Sequence, residues 1–311
     1  MEFTIETEGK IHEISELVHS VSFTDSLNGG CSKLEFSCIK DSPAIINGSI
    51  VRFIYGEIKF YGVVFKTGKN AKKETTFTAY DQLRYAKAKD SILSKGETIT
   101  GHVKKMCNYL GLTVGQLTDT SYVLATDTKD NMTWLDIIYE DIQETLTNKG
   151  KWYMLRDEYG TVCVRDIEDY RLNLVLGDES LCYDYDYEIS IDDNTYNLIK
   201  LVSDNETTSK TDVYSVKDNA AITKYGLLQY FEELNKNINP SQAKAKAEIL
   251  LRLYNRENET LSLDCLGDSN VRAGCSIFAD ISDIGIKKWL IVRSVTHDFI
   301  PLHKMSVEVM I

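Results

Sequence analysis

One strand-turn-strand unit occurs twice in this chain, and that duplication limits what the chain can fold into more than any other feature. The first copy opens Leu34-Glu35-Phe36-Ser37-Cys38-Ile39-Lys40-Asp41-Ser42 and the second Leu261-Ser262-Leu263-Asp264-Cys265-Leu266-Gly267-Asp268-Ser269. Leu, Cys, Asp and Ser match in register. A short loop leads each copy to a glycine, Gly48 or Gly274, followed by an apolar strand and, across a turn, a second strand. Leu34, Phe36 and Cys38 alternate with Glu35 and Ser37, so one face of an extended strand is apolar and the other wet. Asp-Ser is turn chemistry, because a short side-chain oxygen bonds its own backbone two residues on. The glycine admits a positive φ before the next strand. The pattern predicts a three-stranded antiparallel unit in each copy, too small to bury its own face and needing further strands to complete a sandwich or barrel.

The rest of residues 1–90 reads the same way. Strands are expected at 3–7, 18–24, 33–39, 49–55, 59–66 and 75–80, with loops at Asn28-Gly29-Gly30 and Thr67-Gly68-Lys69-Asn70. After Tyr80-Asp81 the period changes. Ile99, Val103, Met106 and Leu110 recur at helical spacing with Gly111 as a stop, and a second helix is expected from the cap Thr133 through Leu135, Ile138, Ile142 and Leu146. A hairpin at 152–155 and 161–165 closes an α+β insertion. Strands resume at 173–176 and 196–203, helices are expected at 225–235 and from the cap Asn239 and Pro240 onward, and the second copy ends the chain. The fold class is therefore mixed, mainly β with α+β insertions, built on two similar antiparallel β-barrel domains. The expected division is a first barrel at 1–90, an α+β insertion at 91–171, a second barrel at 172–205 plus 258–311, and a helical insertion at 206–257.

Composition narrows the function. With 311 residues there is room for two or three cores, while a net charge of -12 disfavours a nucleic-acid clamp, which needs surplus Lys and Arg on its contacting face. Seven cysteines without a Cys-x-x-Cys, several at apolar strand positions, read as reduced buried thiols. No apolar run approaches the length of a membrane span, and the acidic, alternating start Met1-Glu2-Phe3-Thr4-Ile5-Glu6 is unlike a signal peptide.

Candidate chemistry is thin. His297 and His303 flank Pro301 and lack a neighbouring third ligand, so satisfied histidines are favoured over a metal pair. Asp184, Asp186 and Glu188 share one face of the run Tyr183 to Ile189, but that run lacks the glycine and spacing of a calcium loop. No Gly-x-Ser-x-Gly, phosphate-cradling loop or His-Glu-x-x-His occurs. No enzyme, cofactor or metal site is therefore expected. Two other readings have their own loci: a cell-wall hydrolase using carboxylates of the helical insertion, and a carbohydrate-binding β-sandwich using Tyr183, Tyr185 and Tyr187.

The order of elements, more than any single motif, resembles the baseplate hub proteins of contractile tails, a group that includes phage hubs and late-control D proteins. It is most similar to the hub-like proteins of Bacillus defective prophages and clostridial phage-tail-like bacteriocins. The residues that carry the resemblance are 51–56, Phe60-Tyr61-Gly62-Val63, Ala79-Tyr80-Asp81-Gln82-Leu83-Arg84-Tyr85, Tyr196-Asn197 within 190–201, Lys224-Tyr225-Gly226-Leu227-Leu228-Gln229, and Val295-Thr296-His297. The resemblance implies a non-enzymatic homotrimer in which three chains present six barrels, adapting a sixfold tail tube to a threefold central spike. It also implies tube, spike and other baseplate or tape-measure proteins as partners, without membrane insertion or specific nucleic-acid binding. Assembly in the host cytoplasm and residence in an extracellular particle follow from the same resemblance.

Overall fold

A computed structural model describes residues 1–38, 43–69, 74–192, 194–205, 210–234 and 239–311. The strands are β1 (Glu2–Thr7), β2 (Lys10–Glu13), β3 (Val18–Ser26), β4 (Lys33–Cys38), β5 (Ile50–Tyr55), β6 (Ile58–Lys69) and β7 (Thr75–Tyr80), then β8 (Lys89–Ser94), helix α1 (Ile99–Leu110), β9 (Val114–Leu117), β10 (Asp127–Thr133), helix α2 (Trp134–Lys149), β11 (Tyr153–Asp157) and β12 (Val162–Asp166). They continue as β13 (Arg171–Gly177), β14 (Cys182–Ser190), β15 (Leu198–Asn205), β16 (Lys210–Lys217), helix α3 (Asn219–Tyr225), β17 (Gln229–Glu233), helix α4 (Pro240–Tyr254), β18 (Asn258–Leu266), β19 (Ser276–Ile281), β20 (Ile286–Asp298) and β21 (Lys304–Met310). The fold is mainly β. Two compact units divide it, residues 1–186 with 261–311, and residues 187–260.

In the larger unit one strand path is laid down twice. The first runs β3-β4-β7-β6-β5-β1, and the second β14-β18-β21-β20-β19-β13. Agreement extends to single hydrogen bonds. Gly48 N donates to Val64 O at 2.8 Å and Val64 N to Ser49 O at 2.9 Å, while Gly274 N donates to Val292 O at 2.9 Å and Val292 N to Cys275 O at 2.8 Å. Both glycines have the expected positive φ, 95° and 87°. A bulge interrupts β6 against β7 between Val64 and Lys66, and its counterpart interrupts β20 against β21 between Val292 and Ser294. The copies differ at one outer strand, since β1 is antiparallel to β5 whereas β13 is parallel to β19.

Within each copy the pairing corrects the three-stranded reading. Strand β4 does not bond β5; β7 enters between β4 and β6, and β21 does the same between β18 and β20. Alternation fixes which face of a strand is buried but not which strand lies beside it, because any strand with a matching face satisfies the same pattern. The inward residues of β1, β3, β4, β5, β6 and β7 nevertheless meet in a single cluster that includes Phe3, Ile5, Phe23, Phe36, Phe53 and Phe77. Burying an aromatic ring of this kind contributes about 1.5–3 kcal/mol.

The α+β insertion packs α1 and α2 around Val103, Met106, Ile138 and Ile142, with Tyr153, Leu155, Val162 and Val164 from the β11-β12 hairpin. Thr98 and Thr133 cap the two helices by accepting from Gly101 N and Asp136 N, and Gly111 and Gly150 end them in the left-handed conformation.

The smaller unit holds two corrections. The strand expected at 196–203 as part of the second barrel is β15, which pairs with β16 and β17 in a separate three-stranded sheet. Its apolar alternation suits either sheet, so composition could not assign it. The helix expected at 225–235 is instead α3, which stops at Gly226 with φ 81°, followed by strand β17, whose Tyr230 is half-buried and Phe231 exposed. A cluster of Ile199, Leu201, Tyr214, Leu234, Ala243 and Ala247 seats α4 on this sheet.

Candidate functional site

Polar residues concentrate where the two copies meet. Strand β3 of the first pairs antiparallel with the distal half of β20 of the second, from Ser294 opposite Ser26 to Asp298 opposite Ser22. Beside this seam Arg272 Nε donates to Asp25 Oδ2 at 2.8 Å, and Ser32 Oγ donates to Asp25 Oδ1 at 3.0 Å. The guanidinium also lies 5.5 Å from the Phe23 ring centre. Burial works against the charge on Asp25, but Arg272, Arg156 and these hydrogen bonds outweigh it and hold the carboxyl below its ordinary range.

The insertion joins the same place. Asn28 acts as a piece of strand against β11, its Nδ2 donating to Tyr153 O and its Oδ1 accepting from Leu155 N, both at 3.0 Å. Gly30 N donates to Tyr139 Oη at 2.9 Å, so the Asn28-Gly29-Gly30 loop is clamped from two elements. Asp81 is buried and accepts from Ser32 N at 2.8 Å and Leu83 N at 2.9 Å, capping the 3-10 turn Gln82–Lys87. Burial and the neighbouring charge of Asp157 push Asp81 well above the carboxylate range. Burial likewise pushes Asp157 up to about 7, against the hydrogen bond it accepts from Gly160 N.

His297 completes the seam. Its Nε2–H donates to Val271 O at 2.9 Å, which leaves Nδ1 to accept from His303 Nε2 at 3.0 Å. Burial lowers its pKa to about 4, so the ring is neutral at pH 7. Phe299 stacks on both histidines and also meets Phe53 and Tyr55 of the first copy, with ring centres 4.8–4.9 Å away. Among the described residues no cluster of three His, Cys, Asp or Glu is placed to hold a metal.

The remaining singled-out residues fall into separate places. Cys38 and Cys265 are buried at equivalent positions, and all seven cysteines are free. Burial pushes the Cys38 thiol up to about 11. Asp41 and Ser42 lie outside the described residues. In the second copy Asp268 turns the chain by accepting from Asn270 N at 2.9 Å, and Ser269 Oγ accepts from Glu57 N at 3.3 Å. Phe60 is a core ring, and a Cβ on Gly62 would stand 2.3 Å from Tyr80 O, so that pair requires glycine. In the smaller unit Asn197 is fully buried and brings Gly226 to it, donating to Gly226 O at 2.7 Å and accepting from Leu228 N at 2.9 Å. Tyr196 stacks edge-on against Tyr230 and Tyr254.

Sequence reasoning missed Asp25, Arg272 and a second pair. In the insertion His102 Nδ1 lies 2.6 Å from Asp141 Oδ2, both sealed in the core at 0% and 1% exposure. His102 falls on the apolar face of α1 with Ile99, Val103 and Met106, which was the available signal. Burial raises Asp141, while His102 pulls the other way. With no exposure to solvent the pair does not present a carboxylate to a polymer substrate.

Residues 21–310 match the family model described as YQBQ-like. The chain belongs to the YQBQ-like family. It is 26% identical over 271 residues to the phage-like element PBSX protein XkdQ of Bacillus subtilis (strain 168), covering 86% of this chain and 82% of XkdQ. Among solved structures it resembles the 43 kDa tail protein of prophage MuSo2 from Shewanella oneidensis, with a TM-score of 0.72, 12% identity and coverage of 100% and 98% of the two chains. It also resembles the E. coli c3393 protein, with a TM-score of 0.57, 10% identity and coverage of 94% and 73%. That protein is described as a component of the type VI secretion system, structurally similar to the T4 bacteriophage tail proteins gp27 and gp5. The YQBQ-like chain is thus related in sequence to a protein of a Bacillus phage-like element and shares its fold with a prophage tail protein.

Proposed function

We propose that this chain is the non-enzymatic hub of a contractile tail or tail-like particle, three copies of which close a ring of six similar repeats. The observation that carries the reading is the strand path laid down twice, down to the same bulge and the same glycine hydrogen bond. A closed ring needs one contact repeated around an axis. A chain with two copies of one scaffold offers six such surfaces from three subunits. The upper face then meets a sixfold tube while the ring as a whole keeps the threefold symmetry of a spike. The likeness of c3393 to gp27 and gp5 supports the same place in a tail. Tube, spike and neighbouring baseplate or tape-measure proteins are the partners, met during assembly in the host cytoplasm and retained in the released particle. The acidic chain, at -12, leaves DNA or a protein tape free to pass, because like charge repels phosphate.

Native mass spectrometry and imaging of the assembled particle test this. A trimer with six lobes in the ring is expected, and a zymogram on peptidoglycan stays blank. A strictly monomeric chain that binds neither tube nor spike protein refutes the proposal.

A further inference from the structure

The tyrosines of the acidic run bond within the fold, Tyr185 Oη donating to Asp283 and Tyr187 Oη to Glu259, whereas the strand that carries them leaves one edge open. Strand β14 carries the run, bonds β18 along one side, and has no described strand on the other. Asp184 and Asp186 are exposed and pair with no cation among the described residues. A second open edge occurs at the distal end of β6, where residues 66–69 bond β7 on one side only. Lys66 and Lys69 are exposed there and form no ion pair among the described residues.

These two edges are complementary by construction. Inside the chain the distal half of β20 pairs with β3. In the duplicated path β6 is the counterpart of β20, and β14 is the counterpart of β3. The counterparts of the two strands that form the seam joining copy one to copy two are therefore both open, β14 along one edge and β6 at its distal end, where the next chain would supply the partner.

Register follows from the same correspondence. His297 lies opposite Phe23, and Phe23 opposite Leu34. Lys69 stands at the place of His297, because Val64 and Lys66 mark the same bulge as Val292 and Ser294. Leu266 N donates to Leu181 O at 2.9 Å and the Cys182 thiol meets that of Cys265, so β14 runs antiparallel to β18 with residue 182 opposite 265. Carried along the strand, that register sets Asp186 opposite Leu261, the counterpart of Leu34. Asp186 is then the counterpart of Phe23.

Resting on the ring reading above, we propose that β14 of one copy adds to the distal edge of β6 in the next copy, with Asp186 opposite Lys69. Backbone bonds supply the affinity and the opposite charges fix register and partner. Asp184 lies two residues along the same face of β14. The contact is heterologous, so it closes a ring when the rotation allows and cannot stop at a dimer. The competing account gives the lysines only a protective role, since charged side chains on an open edge discourage stray pairing.

Charge reversal separates the two. Asp186→Lys and Lys69→Asp are each expected to weaken the trimer about tenfold by sedimentation or native mass spectrometry, since a like-charged pair replaces an opposite one. Both changes in one chain restore it. Circular dichroism and a thermal melt confirm that each variant is folded, and Asp184→Lys serves as a second variant on the same face. A wild-type trimer that survives the single reversals, or a double variant that stays dissociated, overturns this contact and leaves the ring standing. A wild-type chain that neither trimerises nor binds tube or spike overturns both.

Discussion

Replacing Arg272 by Leu tests what holds the two copies and the insertion together. Asp25 would keep one hydrogen bond from Ser32 Oγ and lose the 2.8 Å bond from Arg272 Nε. The side chains of Arg272 and Asp25 are only 14% and 8% exposed, so solvent does not replace the lost partner. Removing one member of a buried ion pair costs about 3–5 kcal/mol, because the other is left charged without compensation. For a domain of roughly 150–250 residues that lowers Tm by about 6–20 °C. Asp25→Asn in the same background should recover much of the loss, since it removes the stranded charge. Denaturant titration of the wild type, both single variants and the double variant gives the coupling energy directly. A coupling under about 0.5 kcal/mol, the level expected of an exposed pair, refutes the reasoning. The pH dependence has a definite sign. Asp25 titrates lower in the folded than in the unfolded chain, so the contribution of the pair is present above the unfolded carboxylate pKa and is lost as pH falls through the folded one.

Other outcomes follow from neighbouring residues. His297 is held neutral with a pKa of about 4, so the fold loses about 3 kcal/mol as pH falls from about 6.5 to 4, and His297→Gln should flatten that dependence in melts at pH 7 and pH 4.5. Asp157, raised to about 7, acts in the opposite sense: stability falls as pH rises from the unfolded carboxylate value through 7, and Asp157→Asn should gain on the wild type at pH 8 more than at pH 5. Gly48→Ala and Gly274→Ala carry the same backbone strain, about 1 kcal/mol, but only the second also drives a Cβ to 2.4 Å from Met154 Sδ, so differential scanning calorimetry should find it the more damaging. Asn197→Ala leaves Leu228 N and Gly226 O without their buried partner, and about 1–3 kcal/mol of lost protection should appear by hydrogen exchange in residues 187–260, with the larger unit unchanged.

The sequence by itself determined the repeated unit. Alternation at Leu34, Phe36 and Cys38 and again at Leu261, Leu263 and Cys265 is a local property, and the same holds for the positive-φ turns at Gly48 and Gly274. Helices α1 and α2 were legible for the same reason, since cap, apolar period and terminal glycine all lie within one element. Which strand lies beside which was decided only by the tertiary structure, because pairing joins residues far apart in the chain and a half-apolar strand fits more than one neighbour. That is why β7 and β21 enter between strands read as adjacent, and why β15 left the second copy for its own sheet. The junction of Asp25, Arg272, Asp81 and Asp157 was equally hidden. Each is an ordinary charged residue in sequence, and only the meeting of two copies and an insertion removes them from water and makes their pairing matter.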